Sequence, residues 1–217
     1  MFLGKDDIQF GVNESLRDTA TVISSMVSTI VARVAAHDDI AELAKHSTVP
    51  VINALSDDYH PLQAITDCLT MYETAIPLNE VANGTDPNTL ALKGKKIAWV
   101  GDANNVLFDL AIAAGKLGID LSVATPTGYG IPDTMLANIE APSPDAEVMG
   151  KLIQTNDPYE AVKDADYIFT DTWISMGQEA ERAERIKAFE GFQVTEELAR
   201  KGGYVYLRVV FASSETL

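Results

Sequence analysis

The sequence predicts an α/β protein whose second half is a parallel sheet flanked by helices on both faces. Two observations carry this. After residue 95, a strand, a turn and a helix follow one another repeatedly, and parallel strands require such crossovers. Before that repeat, residues 77–94 hold Pro77, Gly84, Pro87 and Gly94 among polar residues, the composition of a linker. The expected organisation is therefore 1–76, a linker over 77–94, and 95–217.

Composition narrows the function classes. With 217 residues, 47% hydrophobic and 22% charged, the chain can bury a real core. Its 32 acidic against 16 basic residues give a net charge of -16, which argues against nucleic acid and an anionic membrane as partners and for a small molecule. An anionic substrate would then need local cations, so individual arginines matter. Cys68 is the single cysteine, which excludes an internal disulfide and suits a buried thiol. No apolar run reaches the ~18 residues of a membrane span, and no basic, apolar leader precedes Asp6 and Asp7.

Along the first part, Val22, Ile23, Met26, Val27, Ile30, Val31 and Val34 repeat at helical spacing. This predicts one long helix, capped by Asn13 or Ser15, with Arg33 in its last turn. A cation there could meet a ligand or simply favour the helix dipole. Val49 to Ala54 reads as a short buried strand and Ser56 to His60 as the loop after it. Pro61 then suits the first turn of a helix running through Ile65 and Leu69 to about Tyr72. His60 and Gln63 would stand at its entrance, where free backbone N–H groups attract anions and carbonyl oxygens. Asn83-Gly-Thr85 matches a glycosylation acceptor by chance.

Beyond the linker, the expected elements are a strand at 96–100, a turn over Gly101 to Asn105, a helix from Val106 to Lys116 closed by Gly118, and a strand at 121–124. A strand at 151–155, a helix start at Asp157-Pro158 and a strand at 167–170 follow. Ligands of such sheets bind beyond the carboxyl ends of the strands, where Asn105 and residues 171–178 fall. The Gly101 turn lacks the three spaced glycines of a dinucleotide fingerprint, which disfavours a nicotinamide cofactor. The Glu- and Arg-rich stretch from Glu179 to Lys187 reads as a solvated helix face.

Three stretches together resemble the transcarbamoylases, over about Phe2 to Gly202. His60-Pro-Leu-Gln63 is similar to their carbamoyl-recognition motif. Asp171-Thr-Trp-Ile-Ser-Met-Gly-Gln178, with Gly101-Asp-Ala-Asn-Asn105 upstream, resembles the ornithine carbamoyltransferase branch, as does Asn13-Glu-Ser-Leu-Arg-Asp18. The resemblance implies two α/β domains in a homotrimer, the N-terminal one incomplete here, and transfer of a carbamoyl group from carbamoyl phosphate to the δ-amine of L-ornithine. It implies no metal and no cofactor. Carried over by position, Arg33, His60 and Gln63 would contact carbamoyl phosphate, and Gln9 would match a position that reaches a neighbouring subunit's site. Asn105, Asp171, Ser175 and the Met176 backbone would hold ornithine, making Arg33, His60 and Asp171 the residues nearest the chemistry.

Those types suit the reaction. Negative charge grows on the carbonyl oxygen as the amine attacks, and fixed donors such as Arg33 and His60 lower that barrier. Asp171 offers an anion for a substrate ammonium, and clamping both substrates makes the reaction effectively intramolecular. The bland alternatives are a helix N-cap for Asp171 and a turn for Ser175. The family's phosphate-gripping Ser-Thr motif would lie upstream of Phe2, and its His-Cys-Leu-Pro motif shortly after Gly203, where Tyr204 to Leu217 does not align. The expectation is little or no activity from this polypeptide alone. Two other readings remain: a transcarbamoylase for another amine, and a non-catalytic amino-acid-binding or regulatory subunit. The compartment implied is the mitochondrial matrix, with the cytoplasm as alternative.

Overall fold

A computed structural model describes residues 1–4, 14–75, 92–142, 149–174, 179–201 and 209–211. Gln9, Asn13, Asn83, Ser175, Met176, most of the linker and most of the tail from Tyr204 lie outside them. The chain divides into two compact units, Met1–Leu62 and Gln63–Leu217.

In the first unit, helix α1 spans Leu16–Ser24, strand β1 Ile30–Arg33, helix α2 His37–His46 and strand β2 Val51–Leu55. Ser15 is the N-cap of α1, its hydroxyl accepting the Asp18 N–H at 3.1 Å. The single long helix is corrected here. The Ser24 and Ser25 hydroxyls bond back to the carbonyls of Ala20 and Val22, which offers the backbone a way out of the helix. The β-branched Ile30 and Val31 then join a ladder with Ala32, the three pairing in parallel with Val51, Ile52 and Asn53. Arg33 therefore ends a strand rather than a helix. Val22, Met26 and Val31, read as a core stripe, are exposed. The strand at 51–55 is half-buried rather than buried, with Ile52 exposed.

Helix α3, Pro61–Ala75, crosses the boundary between the units. Its inward residues are Ala64, Asp67 and Met71, whereas Ile65 and Leu69, which marked the helix in the sequence, are exposed. The spacing of the apolar residues predicted the helix but not the face it buries.

The second unit holds a five-stranded sheet. Its strands are β3 (Lys96–Val100), β4 (Asp120–Ala124), β5 (Leu152–Thr155), β6 (Tyr167–Thr170) and β7 (Val209–Phe211), in the order β5-β4-β3-β6-β7. Every described pairing is parallel. The helices are α4 (Asn105–Leu117), α5 (Asp133–Ile139), α6 (Pro158–Val162), α7 (Arg182–Ala188) and α8 (Glu196–Lys201), with a 3₁₀ turn at Glu179–Glu181. Gly118 closes α4 at φ 70°, a left-handed conformation that glycine adopts without a Cβ penalty. The central strands are apolar on both faces, with Ile97, Ala98, Trp99 and Val100 all fully buried, as a sheet covered by helices on each side requires. Ala98, Val100, Ile168, Val162, Phe189 and Leu198 form one packed core. Among the described residues, no helix is long and apolar enough to cross a membrane.

Candidate functional site at the strand ends

In the first unit, Arg33 and the loop at 56–60 both lie at the carboxyl edge of the parallel pair β1–β2. Backbone bonds knit that edge: Val34 N–H donates to Leu55 O at 3.0 Å, and Asp57 N–H to Ala35 O at 2.8 Å. His37, which the sequence did not single out, fastens the loop further. Its N–H donates to Asp57 Oδ1 at 2.7 Å, its Nδ1 lies 3.0 Å from Ser56 Oγ, and its ring meets that of Tyr59 edge-on. Arg33 is exposed, so its guanidinium is open to an anionic ligand, and His60 is half-buried just ahead of Pro61.

Gln63, in the first turn of α3, donates from Nε2 to Asp67 Oδ1 at 2.9 Å. Asp67 is 2% exposed, and burial pushes its carboxyl up to about 6, against the lowering effect of the Gln63 bond and with the Asp171 charge adding to the rise. The single thiol, Cys68, is half-buried rather than buried, and burial together with the Asp67 charge raises it to about 11. It is therefore a thiol and not a thiolate at neutral pH.

In the sheet, β3 is where the strand order reverses: β4 and β5 lie to one side of it, β6 and β7 to the other. Ligand crevices open beyond the carboxyl ends at such a point. Asn104 follows β3 and Asp171 follows β6, and they meet there, Asn104 Nδ2 donating to Asp171 Oδ2 at 2.7 Å. The other end of the same side chain caps α4, Oδ1 accepting from Val106 N–H and Leu107 N–H at 3.1 and 3.2 Å. Thr172 N–H donates to Asp171 Oδ1 at 2.7 Å. Asp171 is 8% exposed and begins no helix among the described residues, so it does not act as an N-cap. Asn105, the ornithine contact expected from the sequence, is the half-buried first residue of α4. Its neighbour Asn104 was missed, although asparagine just ahead of an apolar helix is itself a cap signal.

The solvated reading of residues 179–187 needs correction at one position. Arg185, on α7, is 5% exposed. It pairs with the buried carboxylate of Asp102, donates from Nε to Trp173 O at 2.6 Å, and lies over the rings of Tyr129 and Phe189 at 5.0 and 5.5 Å. Trp99 Nε1 in turn donates to Asp102 O at 2.9 Å. One buried cation thus ties the turn after β3 to the segment after Asp171. The Asp102 carboxyl is raised, burial outweighing the attraction of Arg185. The one sequence signal was Phe189, an apolar residue on the same helical face four positions beyond Arg185.

A cleft of about 180 Å³ lined by Gly115, Ile119, Met149 and Lys151 opens near the amino ends of β4 and β5, away from these groups. No cluster of metal-ligating side chains occurs among the described residues.

The profile of the family described as aspartate/ornithine carbamoyltransferase, Asp/Orn binding domain, matches residues 93–204, and that of its carbamoyl-P binding domain matches residues 1–73. The chain belongs to the aspartate/ornithine carbamoyltransferase family. It is 64% identical to a mitochondrial ornithine carbamoyltransferase of Aspergillus terreus over 94% of this chain and 55% of that one. With the corresponding protein of Schizosaccharomyces pombe it is 52% identical, over 92% and 56%. The crystal structure of a mitochondrial ornithine carbamoyltransferase from Coccidioides immitis superposes with a TM-score of 0.84 at 54% identity, covering 99% of this chain and 62% of that one. The Pyrococcus furiosus enzyme gives 0.80 at 42% identity, over 97% and 61%. This carbamoyltransferase-family chain thus spans about half the length of the curated relatives it matches.

Proposed function

We propose that the protein is an ornithine carbamoyltransferase, transferring the carbamoyl group of carbamoyl phosphate to the δ-amine of L-ornithine to give citrulline and phosphate. The observation that carries this reading is the Asp171 carboxylate, buried at the reversal point of the sheet and held by Asn104 and Thr172. An anion held there by two hydrogen bonds suits an ammonium group of a diamino acid and repels the second carboxylate of aspartate.

In this reading Asn105, Asp171, Ser175 and the Met176 backbone hold ornithine, and Arg33, His60 and Gln63 hold carbamoyl phosphate. Gln9 serves a neighbouring subunit of a homotrimer. Residues 1–76 form the carbamoyl-phosphate part and 95–217 the ornithine part. The mitochondrial names of the relatives support the matrix as its compartment. The neutral δ-amine attacks the carbonyl carbon, the C–O bond to phosphate breaks, and the amine proton leaves with the departing phosphate or solvent. Arg33 and His60 supply donors for the oxygen on which charge collects. Clamping the two substrates removes most of the entropic barrier.

Competition calorimetry on the 217-residue chain tests the assignment. Ornithine is expected to bind in preference to putrescine and aspartate, and a preference for aspartate would overturn it. Asp171→Asn should weaken ornithine binding by roughly ten- to a hundredfold, since a charge-assisted bond to a buried carboxylate is lost.

A further inference from the structure

Gln63 is half-buried at the start of α3, and its amide can present either end to a ligand: NH₂ as donor or the carbonyl oxygen as acceptor. The structure decides between them through Asp67, one helical turn on. An ionised carboxylate only accepts hydrogen bonds, so the amide must turn Nε2 toward Asp67 Oδ1, 2.9 Å away. Oε1 is then the end left to accept. Toward a ligand that reaches it, the amide is thereby an acceptor.

We propose that Asp67 is a positioning residue that fixes the Gln63 amide with Oε1 as its accepting end, selecting a ligand that carries an NH₂ group. This rests on the carbamoyl-phosphate reading above. Carbamoyl phosphate carries such a group on the carbon under attack, and acetyl phosphate has a methyl in its place. Asp67 is 2% exposed and sits on the buried stripe with Ala64 and Met71, so α3's own packing sets its position. The charged and titratable groups that face it are Asp171 from the end of β6 and Cys68 on its own helix. Cys68, raised to about 11, stays a neutral thiol near pH 6. Protonated Asp67 can donate instead of accept, which would let the amide turn over, so the orientation is coupled to titration near pH 6.

Two measurements test this on the full 217-residue chain. In the first, the Gln63 side-chain amide is observed by ¹⁵N–¹H NMR, identified by its loss in Gln63→Glu. Its resonances are expected to follow a titration with midpoint about 6 in the wild type and to ignore pH in Asp67→Asn. An amide indifferent to pH in the wild type, or titrating equally in the variant, overturns the proposal. The wild-type titration decides even if the variant does not fold.

In the second, carbamoyl phosphate, acetyl phosphate and inorganic phosphate are titrated into the chain. The wild type should prefer carbamoyl to acetyl phosphate. Asp67→Asn should lose roughly five- to tenfold of that preference, the effect of one well-placed hydrogen bond, with inorganic phosphate unaffected. Gln63→Met should lose the same preference, and the double variant no more. A preference unchanged in Asp67→Asn overturns the proposal. If the wild-type chain binds neither acyl phosphate while its amide titrates, the carbamoyl reading fails and the ligand half of this proposal falls with it. The amide titration itself would still stand.

Discussion

Arg185 and Asp102 bury opposite charges against each other, 5% and 6% exposed, and neither would be tolerated alone. Arg185→Met should therefore destabilise the fold by about 3–5 kcal/mol, read from the urea unfolding midpoint, because it strands the Asp102 carboxylate without its cation. A loss below about 1 kcal/mol would mean that water reaches the pair. Asp67 makes a pH prediction. Its folded carboxyl is raised from 3.8 to about 6, so the native state holds the proton more tightly than the unfolded chain does. That stabilisation is fully present below about pH 3.8 and is lost as pH rises through about 6. Asp67→Asn, which does not titrate, should gain stability relative to the wild type across that window, measured as the difference in urea midpoints. A difference that stays flat with pH would contradict the burial of an ionisable group there. Neither Asp67 nor Arg185 was legible as part of the site, because each stands in a segment whose pattern reads as an ordinary helix face.

Helix α4 joins two jobs in one residue. Asn104 caps the helix with Oδ1 and holds Asp171 with Nδ2. Asn104→Ala should cost about 1 kcal/mol of stability through the lost cap, whereas Asn104→Ser should keep the cap to within a few tenths. Both lose the amide NH₂ that reaches Asp171, so both should weaken ornithine binding. If the serine variant binds ornithine like the wild type, Asn104 is a cap and nothing more. The same scale explains the misread helix at residues 15–34. Val22, Ile23, Val27, Ile30, Val31 and Val34 satisfy helical spacing, but they are β-branched. Once β2 was available to Ile30, pairing and the back-bonding serines outweighed periodicity.

At the scale of the whole molecule, a net charge of -16 would act on both proposed substrates before they reach any side chain. Carbamoyl phosphate is an anion and ornithine a net cation at neutral pH. Raising the salt from low to physiological strength should speed association of the first and slow that of the second, roughly two- to fivefold each by stopped flow. Equal responses would show that local cations such as Arg33 set the field instead. The sequence by itself determined the parallel α/β class, the strands at 96–100 and 167–170, the caps at Asp157 and Gly118, and the family motifs, since all of these follow from local pattern and turn chemistry. Only the tertiary structure decided that β6 lies next to β3, that Asn104 reaches Asp171, and that Asp67 and Arg185 are buried. The physical reason is one of distance along the chain. Asn104 and Asp171 are brought together by strand pairing between β3 and β6, and strand order is set by packing over the whole sheet, which no local window of sequence contains.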